Sequence, residues 1–251
     1  MKKKIFYAFG IFNYVIFLGV FAYFVGFMEN LVVPKSIDSA SAIQFLPAML
    51  TNLFLIALFA VPHSIMARPA FKKWWTNLIP KSIERTTYVL VSSILIILLM
   101  WQWQPIPQLA WEVNFLPIKI LLWAIGGVGW LLVAISPRLI NDKHFFGLQQ
   151  VRQQLHNKPL SSPKFQTPGV YQFMRHPIMV GFFLAFWSTP YMSIGHLLFS
   201  IATTVYILIA LRYEERDLVR YFGDRYRNYQ RRVRMFVPVQ KGSGMAEKMN
   251  E

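Results

Sequence analysis

The chain has 251 residues, is 55% hydrophobic and 16% aromatic, and carries a formal net charge of +15 without a single cysteine. That composition excludes a disulfide-stapled fold, a thiolate metal site and a cysteine nucleophile. It does not make a nucleic-acid binder, because 24 of the 26 Lys and Arg residues lie in residues 2–4, 68–85, 138–175 and 212–251, the segments that alternate with apolar runs on one side of a membrane.

Met1-Lys2-Lys3-Lys4 leads into the apolar run Ile5–Met28. The run is long for a signal peptide and lacks a small-residue cleavage site, so it reads as a retained first membrane helix. Three further runs read as spans: Ala48–Pro62, extended by Ser64–Ala67 to about 20 residues, then Thr86–Trp103 and Pro117–Ile135. None contains Asp, Glu or Arg; Lys119 sits at an edge and can snorkel. Gly126-Gly127-x-Gly129 lies inside the fourth run and points to close helix packing rather than a phosphate loop. With residues 29–47 and 104–116 outside, holding only Lys35, the N-terminus and the basic loops fall inside, where they contact anionic lipid.

Asn141–Phe173 is a polar loop punctuated by Lys158-Pro159, Ser161-Ser162-Pro163 and Thr167-Pro168-Gly169. Within it Phe145–Leu155 has helical apolar spacing that suits the interface. Arg175-His176-Pro177 and Glu214-Glu215 then bracket a long apolar stretch broken at Thr189-Pro190 and Gly195-His196. Each arm is shorter than the roughly 20 residues a span requires, and the whole is too long for one helix. A hairpin bent at Pro190–Gly195 fits. Its two mouths then share one membrane face, and Arg175, His176, Glu214 and Glu215 become neighbours. The helix should continue to Gly223, with Asp224–Val233 a second short basic helix and Lys241–Glu251 a disordered tail.

The expected fold class is an all-α integral membrane protein: four transmembrane helices, a C-terminal helical hairpin (five or six membrane helices in all) and short cytoplasmic helices. It forms a single membrane domain over 1–251. A four-helix half occupies 1–136, a cytoplasmic loop 137–176, the hairpin half 177–238 and a disordered tail 239–251.

Among candidate sites, no metal is expected: there is no His-Glu-x-x-His, and His63, His144, His156, His176 and His196 are scattered. No G-x-S-x-G appears. Arg175-His176-Pro177 alone reads as a cationic helix entrance, and Glu214-Glu215 alone as a solvated face. Brought together at the mouths of one hairpin, they read as a site. His63-Ser64, at the inner end of the second helix, faces the same side and reads equally as an interfacial helix end. His196, at the hairpin tip, fits a turn or helix N-terminus.

The run Pro168-Gly169-Val170-Tyr171, Arg175-His176-Pro177, Gly181 and Glu214-Glu215-Arg216-Asp217-Leu218 resembles the membrane methyltransferase superfamily of isoprenylcysteine carboxyl methyltransferases and phospholipid N-methyltransferases. Phe186-Trp187-Ser188-Thr189-Pro190, Gly195-His196-Leu197-Leu198-Phe199, Ala202–Ala210, His63-Ser64-Ile65-Met66-Ala67-Arg68-Pro69, Trp101-Gln102-Trp103 and Phe146-Gly147-Leu148 are similar, more closely, to the bacterial methanethiol S-methyltransferases. The resemblance covers most of residues 50–238. Met179 stands where the wider superfamily has Tyr, so a contact through that hydroxyl does not transfer.

The resemblance implies that S-adenosylmethionine methylates a small thiol, methanethiol giving dimethyl sulfide, at the cytoplasmic face of a bacterial inner membrane. It makes 177–238 the donor-binding catalytic half. Siblings act on a larger lipid or isoprenylcysteine-type acceptor, and denitrification-linked relatives with the same hairpin suggest a non-enzymatic role. Under the methyl-transfer reading His176, Arg175 and Glu215 are the catalytic candidates. Arg175, His176, Pro177, Tyr171, Tyr213, Glu214, Glu215 and Tyr229 are the donor-binding ones. Arg175 suits the donor carboxylate, Glu214 or Glu215 the ribose hydroxyls or amine, and Tyr171, Tyr213 or Tyr229 the adenine. His176 is the candidate base, since imidazole titrates near neutrality and a free thiol with pKa about 8.5 or above is mostly protonated at pH 7.

Overall fold

The computed structural model describes residues 1–40, 44–140, 142–160 and 164–238; the Ser161-Ser162-Pro163 punctuation and the tail from 239 lie outside the described residues. Five helices are long and apolar enough to cross a membrane: α1 (Lys2–Glu29), α2 (Phe45–Ala67), α4 (Glu84–Gln102), α5 (Leu116–Ile140) and α9 (Ile194–Phe222). In lipid a helix closes its own backbone hydrogen bonds, which explains why each apolar run takes this form. The short helix α3 (Pro69–Trp75) follows α2 directly, with Pro69 at its first turn. The shorter helices are α6 (Asp142–Phe145), α7 (Leu148–Leu155) and α10 (Asp224–Arg232), and α8 (Pro177–Trp187) is the short arm of the hairpin.

The hairpin breaks after α8 as Thr189-Pro190 predicts, but only α8 is a short arm: α9, at 29 residues, takes in Gly195 and His196 and is long enough to cross by itself. Eleven helical residues in α8 rise about 16 Å, half a bilayer. The extended segment 188–193, at about 3.3 Å per residue, supplies the remaining distance to the start of α9. Ser193 ends that segment as the N-cap of α9, its hydroxyl accepting from the His196 amide at 3.0 Å. His196 is buried in this first turn, and its Nε2 donates to the Phe186 carbonyl at 3.1 Å, so the tip residue is part of the turn.

A two-stranded antiparallel ribbon departs from the all-helical expectation: β1 (Leu109–Glu112) pairs with β2 (Tyr191–Ser193). The cause is local. Pro105, Pro107 and Pro190 keep both outer connections out of helical geometry, and two extended backbones near each other satisfy their N–H and C=O groups by pairing.

Aromatic packing holds the half of the bundle away from the hairpin mouth. Phe24 meets Trp130 edge to face at 5.9 Å and Phe186 at 6.1 Å, and Trp103 meets Phe199 at 5.8 Å. Between α5 and α8 the backbones touch. A Cβ on Gly129 would lie 2.6 Å from the Gly181 carbonyl oxygen, and one on Gly181 2.7 Å from that of Gly129. This is the small-residue contact expected of the glycine run. It locks α8, and with it Arg175 and His176, against the body of the protein.

Candidate active site

Glu215 is the hub of the hairpin mouth. Its α9 position turns it away from lipid, and the carboxylate accepts from five donors. Arg175 approaches as a fork, Nε to Oε1 and Nη2 to Oε2, both at 3.1 Å. His176 Nε2 lies 2.7 Å from Oε1 and the Tyr226 hydroxyl 2.7 Å from the same oxygen, while Gln230 donates to Oε2. A carboxylate offers about four lone-pair positions, so Glu215 is saturated. Arg175 is committed too. Its Nη1 donates to Val233 O at 2.6 Å and to Gln230 O at 3.4 Å, which leaves one of five N–H groups for anything else.

The segment after α10 completes the arrangement. The Arg175 and His176 amides donate to the carbonyls of Arg234 and Met235 at 3.0 and 3.2 Å, so residues 174–176 run beside 233–235. His176 is the residue before α8, with Pro177 in the first turn. An ionised carboxylate only accepts, so His176 faces it through an Nε2–H, and the lone pair of a neutral ring would sit on Nδ1.

The sequence therefore brings Arg175, His176 and Glu215 together as expected, with Pro177 beginning α8. Tyr171 and Tyr229 lie beneath them, buried, with the Tyr229 hydroxyl donating to Tyr171 O. Tyr213 stands apart on another face of α9. It is 53% exposed, between the Arg68 and Arg216 guanidinium groups at 6.0 and 5.8 Å. Tyr226 and Gln230 were not anticipated. Asp224–Arg232 read as merely basic, yet Tyr226, Tyr229 and Val233 recur at i, i+3 and i+7, the apolar stripe of a docked helix. Those three residues pack with Phe165, Leu218 and Val219.

Burial, and then the Glu215 carboxylate it donates to, raise the Tyr226 hydroxyl well above the ordinary phenol range. Burial likewise raises Tyr171, and pushes Tyr229 up to about 12. All three remain hydrogen-bond donors at any physiological pH.

Glu214 differs from its neighbour. It is half-buried and no hydrogen-bond donor contacts its carboxylate among the described residues. Its charge adds to the upward shift of the Tyr171 and Tyr226 hydroxyls. Beyond Glu215, an open groove of about 290 Å³ is lined by Glu215, Arg216, Val219, Arg220 and Gln230, and a neighbouring one of about 420 Å³ by Val219, Arg227, Gln230 and Arg231. Both are open to solvent along the α9–α10 seam. Among the described residues no cluster could hold a metal ion.

Five helices long enough to span and a charge network at the mouth of a helical hairpin define a polytopic membrane protein with a polar site at one face. Comparison with known proteins makes the class specific. The chain is 47% identical over 236 residues to methanethiol S-methyltransferase 1 of Bradyrhizobium diazoefficiens, covering 94% of this chain and 83% of that one. It is 46% identical over 238 residues to the methanethiol S-methyltransferase of Mycobacterium tuberculosis, covering 95% and 98%. A more distant relative is nurim of Rattus norvegicus, 27% identical over 207 residues. No family model matches the chain, and no solved structure does. The protein is a membrane methyltransferase. It belongs to the methanethiol S-methyltransferase family.

Proposed function

We propose that the protein transfers a methyl group from S-adenosylmethionine to methanethiol, giving dimethyl sulfide and S-adenosylhomocysteine, at the cytoplasmic face of a bacterial inner membrane. The observation that carries this reading is near-full-length identity of 46–47% to two proteins of that name, in a chain whose Arg175-His176 and Glu214-Glu215 meet at one mouth of a hairpin.

The residues suit the donor. Bound there, it supplies a methyl group on a positively charged sulfur, together with an amine, a carboxylate, a ribose and an adenine. Glu215 is already saturated, so Glu214 is the carboxylate left to take the amine or the ribose hydroxyls. Arg175 offers its one uncommitted N–H to the donor carboxylate, and its larger task is to hold Glu215 and the 233–235 segment in place. Glu215 in turn fixes the His176 tautomer. That leaves Nδ1 as an acceptor beside the donor, either for a donor hydrogen bond or for the thiol proton. Tyr171 and Tyr229 support this platform from below. A volatile apolar thiol partitions into lipid, and a site at a hairpin mouth lets it arrive from that side while the donor arrives from water. Proximity in such a place contributes much of the acceleration.

The test is to incubate purified protein with S-adenosylmethionine and a panel of methanethiol, longer thiols, an isoprenylcysteine and phospholipid, following S-adenosylhomocysteine and volatile sulfide. Dimethyl sulfide from methanethiol is expected. Turnover confined to the larger acceptors, or no turnover at all, overturns the reading. The orientation has its own check. Phe173 and Tyr221, 49% and 58% exposed, are replaced singly by Cys in this cysteine-free chain. Both should label from the cytoplasmic side, and labelling from opposite sides would refute the shared inner mouth.

A further inference from the structure

A second polar network lies within the membrane portion, where α2, α4 and α9 meet. His63 Nδ1 lies 3.0 Å from Ser92 Oγ, and the Tyr88 hydroxyl 2.8 Å from His63 Nε2 and 3.2 Å from Nδ1. The Ser64 hydroxyl donates to the Tyr206 hydroxyl at 3.3 Å. Phe59 packs on the His63 ring at 4.9 Å and on the Tyr206 ring at 6.4 Å. Ionisable groups inside a span are costly and mark a function by default.

Counting hydrogens gives the network a direction. Ser92 spends its only hydrogen on the Tyr88 carbonyl, at 2.8 Å, so its oxygen can only accept. His63 therefore carries its hydrogen on Nδ1, and Nε2 is a lone pair that accepts from Tyr88. Tyr206 accepts from Ser64, and its own phenolic hydrogen has no acceptor among the described residues. The cluster thus ends in a proton acceptor reached through Tyr88 and in an unspent donor on Tyr206. Between them are aromatic faces, which favour a polarisable sulfur. Glu214, the open carboxylate of the donor platform, follows Tyr206 by eight residues on α9, about 12 Å along the axis and about 80° around it, so it stands between the two networks.

The geometry points to His63, Tyr88 and Tyr206 as the acceptor-thiol site, with His63 taking the thiol proton through Tyr88. This deepens the methyl-transfer reading and rests on it. The thiol S–H bond breaks and its proton goes to the Tyr88 oxygen as the Tyr88 hydrogen passes to His63 Nε2. The sulfur pair, steadied by the Tyr206 hydroxyl, forms the new S–CH₃ bond. The sulfonium C–S bond breaks with its electron pair left on the donor sulfur. His63 returns its proton to solvent, so one proton is released per dimethyl sulfide.

The rival is a purely structural tie between α2 and α4. The experiment uses full-length protein in detergent with S-adenosylmethionine and methanethiol, comparing His63→Gln, Tyr88→Phe and Tyr206→Phe with the wild type. Charged and titratable groups facing the pair are Arg68, Arg85, Tyr206 and Glu214. At pH 7, His63→Gln and Tyr88→Phe should each lose about a hundredfold in kcat/KM for the thiol, while calorimetric donor Kd stays within about twofold. The gap should close as pH rises above the thiol's own ionisation, because thiolate then arrives ready-made. Tyr206→Phe should raise KM for methanethiol more than it lowers kcat. Without any donor, ¹⁵N spectra of histidine-labelled protein should show His63 neutral with the hydrogen on Nδ1. Turnover within threefold of wild type in both His63→Gln and Tyr88→Phe overturns the proposal, as does a loss that pH does not mend or an Nε2–H tautomer. A wild type that makes no dimethyl sulfide sinks the parent reading instead. If His63→Gln does not fold, Tyr88→Phe, which keeps the ring, decides alone.

Discussion

The two polar networks on α9 solve opposite problems. Tyr206, Tyr213 and Asp217 fall on one stripe of the helix, and Glu215, nine residues beyond Tyr206, points roughly half a turn away. On the Glu215 side, beyond the apolar part of the span, full charges gather and are cancelled within the protein: one carboxylate, one guanidinium fork, a ring N–H, a phenol and an amide. On the Tyr206 side, inside the span, the members are neutral hydroxyls and an imidazole. Full charge is tolerable where it is paired and close to water, and neutral hydrogen-bonded groups are what an apolar bundle accepts. On the proposed reading the first network holds the donor, and the second is suited to a small neutral acceptor. The Arg68–Asp217 ion pair at 2.9 Å ties the inner end of α2 to α9 between them.

The largest effect should come from removing the hub. In Glu215→Gln the Arg175 guanidinium, 8% exposed in its side chain, loses its counter-charge, and one of the two oxygens that accept from Arg175, His176, Tyr226 and Gln230 becomes an NH₂ group facing donors. Breaking a buried pair in this way costs about 3–5 kcal/mol. Because Tyr226 and Gln230 reach the hub from α10, that helix should come loose. Its release should appear as a lower melting temperature and as protease cleavage near Gly223. Cleavage and melting like those of the wild type would mean that α10 is held by the Phe165–Tyr226–Tyr229 cluster alone, and that the charges of the hub add nothing to the fold.

Much of this was legible in the residues. The apolar runs gave the spans because lipid leaves helices little alternative, and Thr189-Pro190 marked the break of the hairpin. The length argument held for α8 alone, because α9 runs on through Glu214-Glu215 to Phe222 and is long enough to cross by itself. The meeting of Arg175-His176 with Glu214-Glu215 followed from that hairpin. Three things did not follow. Which carboxylate would be saturated depends on Tyr226 and Gln230. Both sit in a helix whose charge density hides its apolar stripe. The ribbon of β1 and β2 joins segments some eighty residues apart, a pairing that no local pattern announces. Tyr213 could not be placed by proximity to Glu214, because adjacent helical residues point about 100° apart and it faces Arg68 instead.

Glu214 gives the smaller and more selective effect. It is half-buried, accepts from no donor among the described residues, and lies between the two networks, so removing its charge leaves every hydrogen bond of the hub intact. Glu214→Gln should melt like the wild type. Its donor affinity should nevertheless fall, since a charge-assisted contact contributes roughly 1.5–3 kcal/mol, about tenfold or more in Kd. Pairing this variant with Glu214→Ala identifies the contact. If the carboxylate faces the donor's cationic amine, the neutral amide loses as much as alanine, because the attraction is to charge. If it accepts from the ribose hydroxyls, the amide oxygen still accepts, and only alanine loses the full amount. Calorimetric titration of both variants against S-adenosylmethionine reads the difference. Wild-type affinity in both, with an unchanged melting temperature, would move the donor away from Glu214 and toward the groove that Arg216 and Arg220 line. Then the saturated and the open carboxylate would differ in packing alone.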